Sequence, residues 1–233
     1  MNLEILEGRR LLSVSVLQGY PGYYEVYGDD AADVIDISVS GADATFELDG
    51  VRYGGVAFIS IYSGGGDDTV TVQIQGQTPI AAAVVGGDGN DTISLSGAGA
   101  IWGEGGDDTL RLTDAFRGEV YGGPGDDRIY VAGASADAEI AGEGGHDLID
   151  ATGCLYSVFA TGGQGHDTLL GSNADDVLYG DAGHDLLIGY GGNDIFYVDD
   201  REHDRIIGGA GVDVAFADCD EAGIWGVEYV YYV

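Results

Sequence analysis

The amino-acid sequence predicts an all-β solenoid, in which the chain winds through stacked coils of short strands. Three observations predict it. Between residues 162 and 194 a nine-residue phrase, usually with glycine at its first and fourth positions and with aspartate at its sixth, comes four times in succession. The same aspartate recurs earlier in the chain at intervals of 17 to 23 residues, and apolar residues stand at constant distances from it. Self-similarity at a steady period is the signature of a repeat fold.

The phrase itself predicts a calcium-binding loop. Its four successive copies cover residues 162–167, 171–176, 180–185 and 189–194. Glycine permits φ > 0, so we expect the loop carbonyls to turn toward one point. The aspartate adds a hard, charged oxygen, which is the type of ligand that Ca²⁺ prefers. The apolar residue two places later is expected to lie on a short strand and point inward.

These segments resemble the nonapeptide repeat of the RTX (repeats-in-toxin) family, Gly-Gly-x-Gly-x-Asp-x-U-x with U apolar. The resemblance implies a right-handed parallel β-roll with two turns and two short strands in each coil. It also implies that calcium ions lie between successive loops along each edge of the roll.

Composition narrows the class of protein. Of 233 residues 43 are glycine, and 41 acidic residues against 8 basic ones give a formal net charge of −33. The glycines lack a Gly-X-Y period, which excludes collagen, and 45% apolar residues favours a packed interior over low complexity. Such acidity disfavours nucleic acid and anionic membranes as partners, and it opposes a compact state unless cations neutralise it. No apolar run approaches the ~20 residues that span a bilayer.

Residues 1–24 are interpreted as a leader or lead-in segment. Arg9 and Arg10 precede a short apolar run at the lower limit for a signal peptide, without a convincing small-residue cleavage site. The segment is similar to the openings of some large bacterial surface proteins. We favour a disordered or strand-like lead-in.

Residues 25–60 predict a first coil with a β-hairpin cap. Residues 28–33 have the frame of the phrase, with Ala31 in place of the second turn glycine. Across residues 36–58 apolar residues recur at strand spacing around Asp49-Gly50, a strong two-residue hairpin signal. We expect this hairpin to cover the first coil, because the open end of a solenoid is an unpaired, aggregation-prone edge.

Residues 61–216 are predicted to form the roll. The aspartate intervals equal one whole coil, so seven loops should stack along a single edge, those of Asp68, Asp91, Asp108, Asp127, Asp147, Asp167 and Asp185. Asp176, Asp194 and Asp213 fall half a coil out of step and belong on the opposite edge. One edge should therefore bind calcium along its length and the other only near the C-terminus.

Two inward-facing ladders follow from the same count. Two places after the seven aspartates stand Val70, Ile93, Leu110, Ile129, Ile149, Leu169 and Leu187. Seven places before them stand Ile61, Val84, Ile101, Val120, Ile140, Ala160 and Leu178. A slip of one residue would expose every member, so the ladders should keep the coils in register. The tail, residues 217–233, ends in Trp225, Tyr229, Tyr231 and Tyr232, and we interpret it as an aromatic C-terminal cap.

The metal prediction rests on eleven frames, because one isolated Gly and Asp loop would be an ordinary turn. Glycine holds the first position in ten, with Ser63 as the exception, and the fourth in nine. Predicted ligands are the ten aspartates named for the two edges, with loop carbonyls around Gly86, Gly89, Gly122, Gly125, Gly162, Gly165, Gly180, Gly183, Gly189 and Gly192. Roughly eight Ca²⁺ ions are expected. Asp33 and Asp176 are the doubtful positions, because alanine resists the φ > 0 turn, and Glu104 and Glu143 either add a carboxylate or point to solvent.

Histidines and cysteines carry weaker signals. His146, His166 and His184 hold the fifth position of the phrase in consecutive coils, where a column of imidazoles could chelate Zn²⁺ or Ni²⁺. We favour the alternative that they are exposed turn residues, because the same position accepts Asp, Asn and Val elsewhere. Cys154 and Cys219 are about 17 Å apart by coil count, too far for a disulfide unless the tail folds back.

The sequence leaves three functional classes to compare: a structural or adhesive module, a part of an enzyme, and a pore-forming toxin. We favour a calcium-binding structural or adhesive module of a secreted or cell-surface bacterial protein, with glycans or other surface proteins as candidate partners and with folding coupled to calcium. The alternative is an accessory module of a secreted enzyme of the protease, lipase or alginate epimerase type, whose catalytic domain is elsewhere. No His-Glu-x-x-His and no Gly-x-Ser-x-Gly occurs, so we expect no catalysis by this chain. A pore-forming toxin would need a long apolar segment, and an ice-binding roll would need outward Thr or Asn rows.

Overall fold

The computed structural model describes residues 14–40, 44–48, 51–75, 80–115, 118–133, 138–218 and 223–232. All regular secondary structure in these ranges is β-strand, wound as a parallel solenoid between two sheets. The predicted all-β parallel roll is confirmed. In the part of the chain that the structure describes there is no helix long and apolar enough to cross a membrane.

Strands are numbered in chain order and alternate between the two sheets. Sheet A holds β1 (Ser15–Gln18), β2 (Tyr23–Tyr27), β6 (Phe58–Gly65), β8 (Ala81–Asp88), β10 (Ala98–Gly105), β12 (Gly118–Pro124), β14 (Ala138–Gly144), β16 (Val158–Gln164), β18 (Val177–Ala182), β20 (Ile195–Val198), β22 (Val214–Ala217) and β24 (Tyr229–Tyr232). Sheet B holds β3 (Val34–Val39), β7 (Thr69–Ile74), β9 (Thr92–Ser96), β11 (Thr109–Thr113), β13 (Arg128–Ala132), β15 (Leu148–Gly153), β17 (Thr168–Leu170), β19 (Leu186–Gly191), β21 (Arg205–Ala210) and β23 (Gly223–Trp225). A separate two-stranded hairpin consists of β4 (Phe46–Leu48) and β5 (Val51–Tyr53).

The core lies between the sheets and is built from the two predicted ladders. All fourteen ladder residues are buried, and strand pairing aligns each with its counterpart in the next coil, for example Ile101 with Val120 and Leu110 with Ile129. The strands form because apolar and small or polar residues alternate, so that one face of each strand packs inward. The ladders also extend beyond the predicted range, to Val26 and Ile35 at one end and to Phe196 and Ile206 at the other.

The hairpin at the N-terminal end is shorter than residues 36–58. Residues 36–39 continue β3 of sheet B, because Ile37 and Val39 are inward residues of the first coil, and Phe58 begins β6. The hairpin proper is β4 and β5, whose turn lies outside the described residues. Phe46 and Tyr53 pack on Tyr24 of β2, with ring centroids 5.4 and 5.7 Å away. The predicted covering of the first coil is therefore made by the shorter segment.

The C-terminal tail adds one more strand to each sheet. β23 pairs in parallel with β21, and β24 pairs in parallel with β22. Trp225 and the tyrosines of β24 remain exposed, whereas Ile224 and Val230 pack against the core. The predicted aromatic cap thus takes the form of a final coil, because its alternating apolar residues continue the ladders.

Two edges connect the sheets. The turns that lead from sheet A to sheet B form what we call the first edge, and those that lead from sheet B to sheet A form the second edge. The seven loops from Asp68 to Asp185 lie on the first edge, and those of Asp176, Asp194 and Asp213 on the second.

Candidate calcium-binding loops

Each aspartate of the first edge holds the preceding coil through one carboxylate oxygen. The N–H of Asp68 donates to Asp91 Oδ1 at 2.8 Å, and the N–H of Asp91 donates to Asp108 Oδ1 at 2.7 Å. The same bond repeats at 2.7 to 2.8 Å from Asp108 through Asp127, Asp147 and Asp167 to Asp185. Hydrogen bonds to an ionised acceptor are about twice as strong as neutral ones. The column therefore locks the stacking of the loops.

The other carboxylate oxygen of these residues is left without a hydrogen bond. Oδ2 is buried and has no partner among the described residues in Asp91, Asp108, Asp127, Asp147, Asp167, Asp185, Asp194 and Asp213. Burying a charged oxygen in this way is costly unless a cation or a proton compensates it. The same atom thus requires a positive partner in eight loops.

The glycine at the first position of the phrase creates the space beside this oxygen. A Cβ placed on Gly122 would overlap Oδ2 of Asp127 and would come within 2.7 Å of the carbonyl oxygen of Gly142 in the next coil. Gly103, Gly142 and Gly162 show the same arrangement with their own aspartates and with the next first-position carbonyl. A carboxylate oxygen and a backbone carbonyl from two successive loops therefore meet where only glycine fits.

The left-handed turns of the loops do not all lie at the positions that the sequence predicts. The left-handed turns fall at the second and fourth positions, such as Gly123 and Gly125 with φ of 117° and 145°, and the first-position glycine does not need φ > 0. Glu104 and Glu143 take the second position with φ of 74° and 79°, and both side chains are exposed. Of the two expected roles, an added carboxylate or an orientation toward solvent, this exposure favours solvent.

Burial raises the pKa of the loop aspartates in the metal-free state. The pKa is about 7 for Asp108 and about 8 for Asp127 and Asp185, chiefly because burial penalises the charged form and secondarily because neighbouring carboxylates repel it. Hydrogen bonds from the backbone oppose this shift. A bound divalent cation lowers the pKa of these aspartates again, since its charge favours the ionised carboxylate.

The second edge repeats the pattern over a shorter length. The N–H of Asp176 donates to Asp194 Oδ1 at 2.8 Å, and the N–H of Asp194 donates to Asp213 Oδ1 at 2.9 Å. Glu228 ends this column by accepting from the N–H of Asp213 at 2.8 Å. The restriction of these loops to the C-terminal part of the second edge agrees with the expectation from sequence.

Part of the chain matches the sequence model of a known protein family. The model of the RTX calcium-binding nonapeptide repeat matches four copies, in residues 119–135, 161–196 and 198–218. The chain carries RTX calcium-binding repeats. It is thus a calcium-binding module of the RTX type, built on a structural repeat fold. A search of curated proteins finds no match.

In two of the RTX frames, the aspartate Oδ2 already accepts a hydrogen bond from its own loop. In the loop of Asp176, Oδ2 accepts from the N–H of Ser172 at 2.6 Å, and Oδ1 accepts from the Ser172 hydroxyl at 3.0 Å. In the loop of Asp33, Oδ2 accepts from the N–H of Asp29 at 2.9 Å. These are the frames with alanine at the fourth position. Without the left-handed turn, the loop closes on its own carboxylate, so Asp176 is a poor candidate ligand.

Ser63 modifies the first gap between RTX loops. It stands where other frames have glycine, and its hydroxyl donates to the carbonyl oxygen of Gly86 at 2.8 Å. The side chain therefore fills part of the space that the other loops keep open between the Asp68 and Asp91 coils.

Asp204 extends the RTX column of the first edge and was missed at the sequence level. Its Oδ1 accepts from the N–H of Asp185 at 2.7 Å, and burial raises its pKa to about 6. The sequence pattern does not reveal this frame, because Asp199 and Glu202 stand at its first and fourth positions, where other frames have glycine. The interval of 19 residues from Asp185 and the inward Ile206 two places later were signals that could have found it.

The predicted histidines do form a column, in which Nδ1 of each ring accepts a hydrogen bond from the next coil. The rings of His146, His166, His184 and His203 stack with centroids 4.9, 5.0 and 6.0 Å apart. Nδ1 of His146 and of His166 accepts a backbone N–H from the next histidine at 2.7 Å. Only Nε2 of each of these rings is then left to bind a metal, and the second-metal column at His146, His166 and His184 stays a prediction.

The histidines share their role with acidic residues in other coils. Asp107, Asp126 and Asn90 occupy the same fifth position and likewise accept the next backbone N–H, at 2.7 to 2.9 Å. Any side chain with an acceptor at this distance serves, which explains why the position varies.

No group of three or more His, Cys, Asp or Glu side chains converges on one point in the described residues. Calcium takes six to eight oxygen ligands. Loop carbonyls therefore have to supply most of them, which agrees with the carbonyls that crowd the glycine positions.

The structure also shows a threonine row that the sequence analysis overlooked. Strand pairing aligns Thr69, Thr92 and Thr109 on the outer face of sheet B, and Arg128 ends the row.

Cys154 is buried, with its thiol donating to the carbonyl of Val131 at 3.3 Å, and Cys219 lies outside the described residues.

Proposed function

We propose that this chain is a structural module of a secreted or cell-surface protein, which folds and becomes rigid when calcium binds. The observation that carries the proposal is the column of buried, unpartnered Oδ2 atoms in the RTX loops. Those of Asp91, Asp108, Asp127, Asp147 and Asp167 lie beside a backbone carbonyl of the next coil in a space that only glycine leaves open. Hard oxygen ligands of this kind suit calcium better than softer transition metals.

The assigned ligands follow the geometry of the loops. On the first edge they are Asp68, Asp91, Asp108, Asp127, Asp147, Asp167 and Asp185, with Asp204 added, and on the second edge Asp194 and Asp213. The carbonyls around the glycines of the same loops complete each site. Asp176 is assigned to loop closure instead. An occupancy of roughly eight ions would bring about +16, half of the formal charge of −33 in magnitude.

The extracellular assignment follows from mass action. Extracellular calcium modules bind with dissociation constants of about 10⁻⁴–10⁻³ M. Binding to the folded state alone stabilises that state in proportion to the logarithm of ion concentration. The same chain would stay unfolded where calcium is scarce and would fold where it is millimolar.

The module acts as a scaffold without catalysis of its own. Its buried aspartates are committed to the loops, and its ladders fill the interior. We propose the same division as the sequence suggested: a lead-in at 1–24, a capped first coil at 25–60, the roll at 61–216 and an end segment at 217–233.

Circular dichroism with a chelator tests the proposal. Excess EDTA should remove most β-structure at pH 8, and excess Ca²⁺ should restore it, whereas Mg²⁺ at the same concentration should restore much less. An unchanged spectrum and melting temperature after chelation would show that the fold does not depend on calcium.

A further inference from the structure

The outer face of sheet A carries a row of stacked rings, which we call the aromatic row. Strand pairing aligns one outward residue from each coil, namely Tyr27, Tyr62, Val85, Trp102, Tyr121, Ala141, Thr161, Tyr179, Tyr197, Phe216 and Tyr231. Neighbouring rings stack with centroids 4.2 to 5.9 Å apart. A ring with neighbours on both sides has both faces covered and offers only its edge to solvent.

The row is interrupted for one coil at Val85. Tyr62 stacks on Tyr27 on the side away from this break, at 5.1 Å, and Trp102 stacks on Tyr121 on its far side, at 5.9 Å. The uncovered faces of Tyr62 and Trp102 therefore point toward each other across Val85. Two strand spacings separate them, about 9.6 Å, so a group midway lies about 4.8 Å from each ring.

An apolar concavity adjoins the break. It has a volume of about 270 Å³, a floor of alanines from β8 and β10, and walls formed by Phe58 and Trp102. Glu119 is the charged residue that lines it. Small side chains on two successive strands, β8 and β10, leave this space, with Phe58 on the preceding strand β6 and Trp102 further along β10 as its larger neighbours.

The strands of sheet A carry acidic side chains but no basic ones. None of the twelve strands of sheet A contains arginine or lysine, whereas sheet B carries Arg111, Arg128 and Arg205. Glu139 accepts a hydrogen bond from the Tyr121 hydroxyl at 3.4 Å, and burial together with Glu139 and Glu119 raises the pKa of Tyr121. The rim of the concavity is therefore electronegative.

We propose that this break in the aromatic row, which we call the Val85 gap, binds a quaternary or alkylated ammonium group. A cation within about 6 Å of an aromatic centroid is attracted by the ring face, and tryptophan attracts it most strongly. The gap offers two such faces at about the right separation, and the alanine-lined concavity that adjoins it along the strands accommodates alkyl groups. Glu119, which lines that concavity from β12, adds negative potential without contacting the gap itself. The site is on the outer face of sheet A, where Val85 and Trp102 directly precede Gly86 and Gly103, the first-position glycines of two calcium loops. The proposal does not depend on the ligand assignment of those loops.

Tryptophan fluorescence tests the proposal in the calcium-loaded protein. Trp225, the other tryptophan, is replaced by phenylalanine so that emission reports on Trp102 alone. Titration with choline should change the emission saturably. Its neutral isostere, 3,3-dimethylbutan-1-ol, should bind at least about tenfold more weakly, because it fills the same volume without the charge.

Two variants locate the site. Val85→Tyr continues the aromatic row, keeps Trp102 and should abolish the choline response, while circular dichroism shows the fold intact. Glu119→Gln should weaken binding by about two- to fivefold, the effect of one exposed charge. Equal binding of the neutral isostere, a full response in Val85→Tyr, or no saturable response in the parent protein would each overturn the proposal.

Discussion

The backbone N–H of Asp127 donates to Oδ1 of Asp147 at 2.8 Å, although the two residues are 20 positions apart in the chain. The same carboxylate has a second oxygen that is buried and unpartnered. Each aspartate of the column thus joins two coils with one atom and offers the other atom to a cation. Coil stacking and calcium binding are coupled through single side chains, and the predictions below use that coupling.

Replacing an interior aspartate should weaken calcium binding more than replacing one near an end. Asp127→Ala removes an Oδ2 ligand flanked by loops on both sides and leaves the N–H of Asp108 without its acceptor, a cost of about 1–3 kcal/mol. Asp213 is followed in its column only by Glu228. Calorimetric titration should therefore give a larger loss for Asp127→Ala than for Asp213→Ala, with the exposed Asp126→Asn as control, because asparagine keeps an oxygen that can accept the N–H of His146. Equal losses or the reverse order would contradict a shared-loop arrangement.

Neutralising Asp176 should leave the number of bound ions unchanged. Both of its oxygens are hydrogen-bonded to Ser172 within the loop, so Asp176→Asn lowers stability without removing a ligand. Asp185→Asn, by contrast, removes the charge from an oxygen that has no partner. Calcium stoichiometry by equilibrium dialysis should fall only in Asp185→Asn. A loss of ions in Asp176→Asn would return that residue to the ligand set.

Adding one methyl group at Gly122 should destabilise the calcium-loaded protein. The new Cβ overlaps Oδ2 of Asp127, and crowding of this kind costs about 1–3 kcal/mol. At roughly 2–4 °C per kcal/mol for a chain of this size, the melting temperature should drop by several degrees. Gly144→Ala is the matched control, because its Cβ meets nothing within 4 Å. Similar melting temperatures for both variants would show that the space beside the aspartate is not essential.

Acid should partly replace calcium in the chelated protein. Burial raises the pKa of Asp91 to about 6 and of Asp127 to about 8, whereas an unfolded aspartate titrates near 3.9. Because the folded-state pKa is higher, bound protons stabilise the fold fully below about pH 4, and this contribution is lost as the pH rises through about 6 to 8. Ellipticity in EDTA should therefore increase as the pH is lowered from 8 to 5. The calcium-loaded protein should show little change over this range, and a chelated protein equally unfolded at both values would refute the mechanism.

The ladders show how far a periodic pattern can be trusted. Ile101 and Leu110 were placed in the core by their distance from an aspartate alone, and both are fully buried. Counting succeeds here because a parallel solenoid adds each coil at the same register, so a local interval translates directly into a spatial neighbour. The same reasoning missed Asp204, because its loop lacks the glycines that mark the other loops. Asp204 nevertheless continues the column.

The first-position glycine illustrates an error of cause. Sequence reasoning assigned it a left-handed turn, but the structure gives that turn to the second and fourth positions. Gly122 is needed because Asp127 Oδ2 and a carbonyl from the next coil occupy the place of its side chain. That crowding involves a residue 20 positions away, and no local preference reveals it.

The sequence by itself determined the parallel roll, its two edges and the inward residues, because these depend only on a period that the chain repeats. Only the tertiary structure decided which carboxylates keep an open oxygen. Ala174 marked the loop of Asp176 as doubtful in the sequence, but the hydrogen bonds from Ser172 to its carboxylate, and the unpartnered Oδ2 of Asp185, are visible only in the structure. It also decided that Tyr62 and Trp102 face one another across Val85, which follows from strand pairing between coils. A repeat encodes where each coil lies, whereas the environment of a side chain is completed by the neighbouring coils.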